Sequence, residues 1–318
     1  PVTDEFSRSI TYLRVSVTDL CNLRCRYCMP ACGVAKRGHD DILSFEEIWE
    51  IVSAAAKLGV RKVRITGGEP LVRPGLPELC RRISSIPGIE ELVVTTNGLL
   101  LAEQAEALKN AGVRRVNISL DTLDPEKFSR MTRGGDLDQV LRGIEAAYRV
   151  GFAPLKINTV LIGGFNDDEI PELVELTRKY PIEVRFIELM PLGPGADFPK
   201  ESFLPCSVVP ERVPELRPLE RSSGVARLYA LPGAKGRVGL ISPISHDFCA
   251  QCDRIRLTSD GKLKPCLHSD KEIYLRGLHG TMLEQSLVDA IRAKPQSHQE
   301  LVPGHVSAGG RPMNRIGG

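Results

Sequence analysis

Two separated sets of three cysteines constrain this chain more than any other feature: Cys21, Cys25 and Cys28 near its start, and Cys249, Cys252 and Cys266 near its end. Each set can supply three thiolates to a four-iron, four-sulfur cluster, which needs four to be fully capped, so one iron of each would stay open to a substrate. The first spacing, three residues and then two, puts the thiols on a tight loop after the apolar run 13–17, with Tyr27 between the last two. Zinc is the alternative. Cys21, Cys25 and Cys28 together with Cys32 have the makings of a structural zinc site, and Cys249 and Cys252 have the spacing of a zinc-ribbon pair. Zinc modules are usually short, however, whereas this loop heads a long alternating α/β segment. Of the remaining cysteines, Cys80 lies in a predicted helix, where a small buried hydrophobe is the ordinary reading, and Cys206 sits among prolines with no partner nearby.

Nine cysteines in 318 residues are too few for a disulfide scaffold, and their grouping in threes points to metal and a reducing compartment. Lysine and arginine total 42 against 40 acidic residues, and the net charge of +2 gives no general surface for nucleic acid or membrane. Any anion site must therefore be local. With no signal peptide and no run of about 18 apolar residues, the expectation is a soluble cytoplasmic protein.

Short runs rich in β-branched residues alternate with helical patterns through the first 190 residues. Strands are expected at 13–17, 62–66, 91–95, 115–120, 155–162 and 183–189, and helices at 44–58, 76–86, 101–110, 137–150 and 168–179. The first helix opens on a capping box of Ser44 and Glu47. Such an order implies parallel strands joined by helical crossovers, as an incomplete barrel or an open doubly wound sheet, with ligands at the C-terminal strand ends. Those ends carry the cysteine loop, Gly67-Gly68-Glu69-Pro70, Thr96-Asn97-Gly98, Ser119 and Asp121, and then Glu188 and Met190. A run of prolines from Pro191 to Pro218 marks a boundary, giving segments 1–190 and 191–318. The second segment holds shorter strands at 227–230 and 238–241 and a helix at 281–293. Its glycine-rich tail, 309–318, reads as disorder by composition.

Gly67-Gly68 allows close backbone approach to a ligand, with Glu69 and its carbonyl neighbours suited to an ammonium group; an ordinary strand-to-helix turn would look the same. Arg14 and Arg64 lie in strands. Lys156 lies in an apolar run, where a cation needs either an anionic ligand or an internal carboxylate. Arg254 and Arg256 alternate about Ile255 and face one way, which suits a phosphorylated substrate beside a cluster or a solvated strand face.

The segments Cys21-Asn-Leu-Arg-Cys25-Arg-Tyr-Cys28-Met-Pro, Gly67-Gly-Glu-Pro70 and 248–267, together with Ser242-Pro-Ile-Ser245 and the Gly317-Gly318 end, resemble the GTP 3′,8-cyclases of molybdenum cofactor biosynthesis, in the radical S-adenosylmethionine superfamily. The resemblance implies an α/β fold: an incomplete (β/α)6 TIM-like barrel with a C-terminal α+β domain that brings a second iron–sulfur cluster across the barrel mouth. It implies two [4Fe-4S] clusters, one on Cys21, Cys25 and Cys28 and one on Cys249, Cys252 and Cys266, with S-adenosylmethionine at Tyr27, Gly68, Ser119 and Met190. GTP would be held by Arg14, Arg64, Thr95, Lys156, Arg254, Ile255 and Arg256, and Arg14, Arg254, Arg256, Gly317 and Gly318 would serve catalysis. The implied reaction takes hydrogen from the ribose C3′ and joins C3′ to guanine C8, giving 3′,8-cyclo-7,8-dihydro-GTP. The implied partners are GTP, an electron donor and a downstream cyclic pyranopterin monophosphate synthase, with a homodimer as one open assembly and neither nucleic acid nor membrane. Residues 192–225 resemble the family only weakly, and Cys32 is an extra thiol beside the first set. A peptide-modifying enzyme of the same superfamily would share the first two motifs without needing Arg254, Arg256 or the Gly-Gly end.

Overall fold

The computed structural model describes residues 2–35, 38–220, 224–246 and 248–317. In chain order the first part runs β1 (Tyr12–Ser16), α1 (Phe45–Lys57), β2 (Lys62–Thr66), α2 (Leu76–Ser84), β3 (Glu91–Thr96), α3 (Leu101–Asn110), β4 (Arg115–Ser119), α4 (Pro125–Thr132), α5 (Leu137–Arg149), β5 (Leu155–Leu161), α6 (Ile170–Lys179) and β6 (Ile182–Glu188). All six expected strands form. The capping box is present at α1, where Glu47 N donates to Ser44 Oγ at 3.1 Å and Ser44 N donates to the Glu47 carboxylate at 2.7 Å. Sequence reasoning passed over α4. Its signal is Asp124, whose carboxylate accepts from the backbone of Glu126 and Lys127, followed by Pro125 in the first turn.

The second part contributes α7 (Val208–Arg212), β7 (Arg217–Pro218), β8 (Arg227–Ala230), β9 (Arg237–Ile241), β10 (Arg254–Leu257), β11 (Lys262–Lys264), β12 (Ile273–Tyr274) and α8 (Gly280–Arg292). All twelve strands join one open sheet in the order β12-β11-β10-β1-β2-β3-β4-β5-β6-β9-β8-β7. The C-terminal segment therefore adds to both edges of the first. β9 pairs parallel with β6, and β10 pairs parallel with β1, setting Arg256 beside Arg14. Neither pairing is local in sequence, which is why β10 was not foreseen.

The central strands are not uniformly apolar as in sheets covered on both faces by helices. In β2, Val63 and Ile65 are fully buried among core residues and alternate with Lys62, Arg64 and Thr66; in β6, Val184 and Phe186 alternate with Glu183 and Arg185. The apolar face packs on the helices, each such side chain contributing about 1.5–3 kcal/mol by burial. The other face is polar and turns inward. Side chains from all eight parallel strands line one cavity, which requires the sheet to curve around it.

The loose cysteines outside the two sets also find places. Cys80 is buried in α2, and the Cys206 thiol lies 3.4 Å from both the Phe186 and Ile241 carbonyls. Cys32 is exposed and is not among the residues lining the cavity.

Candidate functional site

The cavity, of about 300 Å³, lies at the C-terminal ends of the parallel strands and is lined by Cys21, Cys25 and Cys28 on one side and by Cys266 with Arg254 and Arg256 on another. The first cysteine loop is fixed from two directions. The backbone N–H groups of Arg24 and Arg26 donate to the carbonyls of Thr132 and Met131 at the end of α4, at 3.0 and 2.9 Å. The turn after β2 docks on its other flank: Gly68 N donates to Thr18 O at 2.7 Å and Glu69 N to Leu20 O at 2.8 Å. A Cβ on Gly68 would lie 2.3 Å from the Leu20 carbonyl oxygen, so glycine here serves a close approach to the protein's own cysteine loop. Expectation gave that freedom to a ligand.

Glu69 also lines the cavity. Its buried carboxylate accepts from Thr96 Oγ1 at 2.7 Å, Asn97 N at 2.7 Å and Leu71 N at 3.0 Å, stapling the turns after β2 and β3 together.

Burial pushes the thiols of the first set up, Cys21 to about 11 and Cys28 to about 12, and Cys25 is raised well above the ordinary thiol value by burial and then the neighbouring Cys28. In such an environment a metal that replaces the thiol protons is favoured over bare thiolates. Three thiols on a short loop, open to a shared cavity, suit a cluster ligated at three corners. Among the described residues, no group of three or more His, Cys, Asp or Glu is gathered so as to hold a single metal ion. The hydroxyl of Tyr27, which lies between Cys25 and Cys28 in sequence, donates to Asp121 at 2.7 Å. Gly68, Ser119 and Met190 line the same side of the cavity.

In the second set, Cys266 faces the cavity, and both Cys252 and Cys266 lie close enough to Arg256 to act on its charge. For the Cys252 thiol, burial works upward, but Lys294, the Arg254 backbone N–H and the Arg254 guanidinium outweigh it and the net shift is down. Cys249 and Cys252 do not line the cavity.

Cations dominate the space between the two sets. Arg14 and Arg64, both buried, are pushed down to about 9, chiefly by burial and then by neighbouring guanidiniums, while Arg256 falls to about 10 through burial and Arg254. Arg64 receives help from Asn117, whose amide oxygen, in the orientation that satisfies both groups, accepts from it at 3.2 and 3.1 Å. Arg64 and Arg254 also stand over the ring of Tyr12, at 5.3 and 5.5 Å from its centroid. Even so, among the described residues the buried Nε atoms of Arg14, Arg64 and Arg254, Thr95 Oγ1 and Asn158 Oδ1 have no hydrogen-bond partner, Arg254 having only a long ion pair to Asp253 at 3.8 Å. Buried donors without acceptors are costly and favour a bound anion.

Two of the expected substrate residues do not line the cavity. Lys156 is not on the cavity wall; its ammonium pairs with Glu183 at 3.0 Å, so the internal carboxylate is its partner. Ile255 is fully buried in the apolar core, because strand alternation turns it away from Arg254 and Arg256. Arg185, Asn117 and His268 were missed. Arg185 and Asn117 were legible from alternation, since they share the inner face with Glu183 and Thr95, whereas His268 follows Cys266 by two residues and carries no periodic signal.

The tail is ordered against this site. Ile316 is fully buried, Asn314 nearly so, and Arg256 Nη1 donates to Gly317 O at 2.7 Å. Gly317 has φ of +73°, and a Cβ there would lie 2.3 Å from Thr66 Oγ1. Behind it, Arg311 joins Asp260 through two 3.0 Å bonds and also bonds Glu272. The expected disorder is thus replaced by burial and ion pairing. Gly318 lies outside the described residues.

Comparison with known proteins matches residues 15–177 to the Radical SAM superfamily and residues 182–300 to the family described as Molybdenum Cofactor Synthesis C. The chain is 52% identical to the GTP 3′,8-cyclase of Alkaliphilus oremlandii over 99% of each chain. It is 54% identical to the GTP 3′,8-cyclase of Peptoclostridium acidaminophilum over 93% of this chain and 92% of that one. Among solved structures, Streptococcus suis SuiB bound to S-adenosylmethionine has the same fold, with a TM-score of 0.60 and 18% identity over 91% of this chain and 65% of SuiB.

Proposed function

Because the chain belongs to the GTP 3′,8-cyclases of the radical SAM superfamily, we infer that it converts GTP to 3′,8-cyclo-7,8-dihydro-GTP, the first step of molybdenum cofactor biosynthesis. The observation that carries this reading is the group of buried guanidinium Nε donors of Arg14, Arg64 and Arg254, without hydrogen-bond partners among the described residues, beside two sets of three thiols in a chain of net charge +2. A nucleoside triphosphate supplies the missing acceptors.

In this reading Cys21, Cys25 and Cys28 hold a [4Fe-4S] cluster, and S-adenosylmethionine sits against Tyr27, Gly68, Ser119 and Met190, all on the cavity wall. Cys249, Cys252 and Cys266 hold a second cluster. When bound, the first cluster and S-adenosylmethionine supply one-electron reduction and hydrogen abstraction. The protein does the rest by position. Arg14, Arg64, Thr95, Arg254 and Arg256 hold the nucleotide, with Arg185 added to their number from the cavity wall. Tyr27 is held on the cavity wall by Asp121, and the tail carbonyl of Gly317 steadies Arg256. Lys156 acts one layer lower, through Glu183 and Arg185. An electron donor must serve the first cluster, and a cyclic pyranopterin monophosphate synthase consumes the product. Among the described residues no helix is long and apolar enough to cross a membrane.

The test is anaerobic incubation of reconstituted protein with GTP, S-adenosylmethionine and a reductant, with metal and sulfide analysed in parallel. Formation of the cyclised nucleotide, with about eight irons and eight sulfides per chain, is expected for two cysteine-ligated clusters. Stoichiometric zinc without labile sulfide would overturn the reading.

A further inference from the structure

Lys294 follows α8, well away in sequence from every residue assigned above, and it is buried, with 3% of its surface exposed. Its ammonium donates to the carbonyls of Arg254 and Pro265, both at 2.8 Å, and to the sulfur of Cys252 at 3.5 Å. All three donors of the ammonium are spent there, none on a carboxylate. A buried cation whose charge meets only carbonyls and a thiol is expensive unless something nearby carries negative charge. A thiolate does. Pro265 directly precedes Cys266, so one side chain ties together the backbone beside two cysteines of the second set and touches the sulfur of one.

A second cation closes the same loop from outside. Arg8, nearly buried and paired with Asp4 at 2.5 Å, donates to Cys249 O at 2.7 Å, Pro295 O at 2.6 Å and Gln296 O at 2.9 Å. The segment 294–296 is thus the common anchor of all three cysteines: Cys249 through Arg8, and Cys252 and Cys266 through Lys294. The two cations differ in one respect. Arg8 has the Asp4 carboxylate beside its carbonyl partners, whereas Lys294 has carbonyls and a sulfur.

We propose that Lys294 is a positioning residue for the second cluster, supplying a fixed positive charge and an N–H···S hydrogen bond that stabilise the thiolate of Cys252 and raise the reduction potential of the centre it ligates. The inference rests on the reading that Cys249, Cys252 and Cys266 hold a cluster. Hydrogen bonds to cluster sulfurs and local charge are levers that set such potentials, and partners behind the ligands orient them. Removing the ammonium leaves more negative charge around the centre, so adding an electron becomes harder.

The experiment is a redox titration of the reconstituted holoenzyme followed by electron paramagnetic resonance, the second-cluster signal being the one that disappears in Cys266→Ala. Lys294→Met should shift that signal to lower potential while the first-cluster signal stays in place, and Lys294→Arg should return it toward the parent value. If Lys294→Met fails to retain the second cluster, Lys294→Gln, which keeps a donor but no charge, carries the measurement and should show the same downward shift. An unchanged potential in Lys294→Met or Lys294→Gln, with the cluster present, overturns the proposal. A parent protein with four irons and no second signal instead overturns the reading of the cysteines.

Discussion

Gly317→Ala is the sharpest perturbation that the structure offers. The new Cβ would lie 2.3 Å from Thr66 Oγ1, with the Thr66 and Ser16 Cβ atoms at the ordinary distances of 3.5 and 3.6 Å, so one oxygen accounts for the clash. Restoring normal contact requires the tail to retreat by about 1 Å, a displacement that can cost on the order of a hundredfold in rate when it falls on a positioning element. Independently, an alanine held at φ near +73° costs about 1–2 kcal/mol. Withdrawal also forfeits the Arg256 bond to Gly317 O, a charged hydrogen bond of the kind that contributes about 1.5–3 kcal/mol. The two together come to about 2.5–5 kcal/mol, or roughly two to four orders of magnitude in rate at about 1.36 kcal/mol per tenfold. The assay is single-turnover formation of cyclised nucleotide, with iron content and S-adenosylmethionine binding as controls, both expected to be unchanged. Thr66→Ala in the same chain removes the clashing oxygen but leaves the φ cost, so the double variant should recover to within about tenfold of Thr66→Ala alone. Turnover by Gly317→Ala within about threefold of the parent would refute the assignment of the tail to the site.

Three further outcomes are expected. Arg64→Ala and Arg256→Ala should each weaken GTP binding by about tenfold or more by calorimetry, since charged contacts to phosphate contribute about 1.5–3 kcal/mol, whereas Lys156→Ala, whose ammonium is already held by Glu183, should cost less; unchanged binding by Arg64→Ala would remove that residue from the site. Gly68→Ala, whose Cβ would meet the Leu20 carbonyl oxygen at 2.3 Å, should displace the first cysteine loop and halve the iron content; full iron would show that the turn can give way. Glu183 is held down at about 2 from an ordinary 4.5, burial being outweighed by Arg185 and Lys156, so its contribution to stability is complete above pH 4.5 and is lost as pH falls toward 2. Urea midpoints of the cluster-free chain should fall over that window, and Glu183→Gln should flatten the profile.

What the sequence made legible follows the range of the interactions involved. β-branched runs and capping signals are local, so β1 to β6 and α1 could be placed from the chain alone, and the two cysteine sets announced their chemistry by spacing. The position of β10 depends on β1, more than two hundred residues away, and no periodicity reports such a pairing. Burial was equally hidden. Glu69 and Lys156 are the residue types that a ligand would call for, but Thr96, Asn97 and Leu71 claim the first and Glu183 the second, and those partners come from other strands and turns. The tail shows the same limit in reverse, since glycine-rich composition describes a free chain, while Arg311 and Ile316 supply the pairing and burial that hold this one.

The inner face of the sheet is built in two tiers, and the division explains how a nearly neutral chain concentrates positive charge. In the lower tier each carboxylate serves several cations: Glu91 takes Lys62 at 2.6 Å and Arg115 at 2.7 Å, and Glu183 takes Lys156, Arg185 and Arg237. In that tier five cations share two carboxylates, and the pairs tie neighbouring strands together. Elsewhere on this face, among the described residues, Arg14, Arg64 and Arg256 pair with no carboxylate; their surroundings are the Asn117 amide, the Tyr12 ring, the Gly317 carbonyl and the thiols of the second set. Buried guanidiniums crowded in this way are costly, because desolvation and mutual repulsion act together. The parallel pairing of β10 with β1 brings Arg256 beside Arg14 and also carries Cys252 and Cys266 to that edge. A single strand placement therefore delivers both the uncompensated cations and the second set of thiols to the face where the first set waits, and an anionic substrate between them relieves the repulsion that the placement creates.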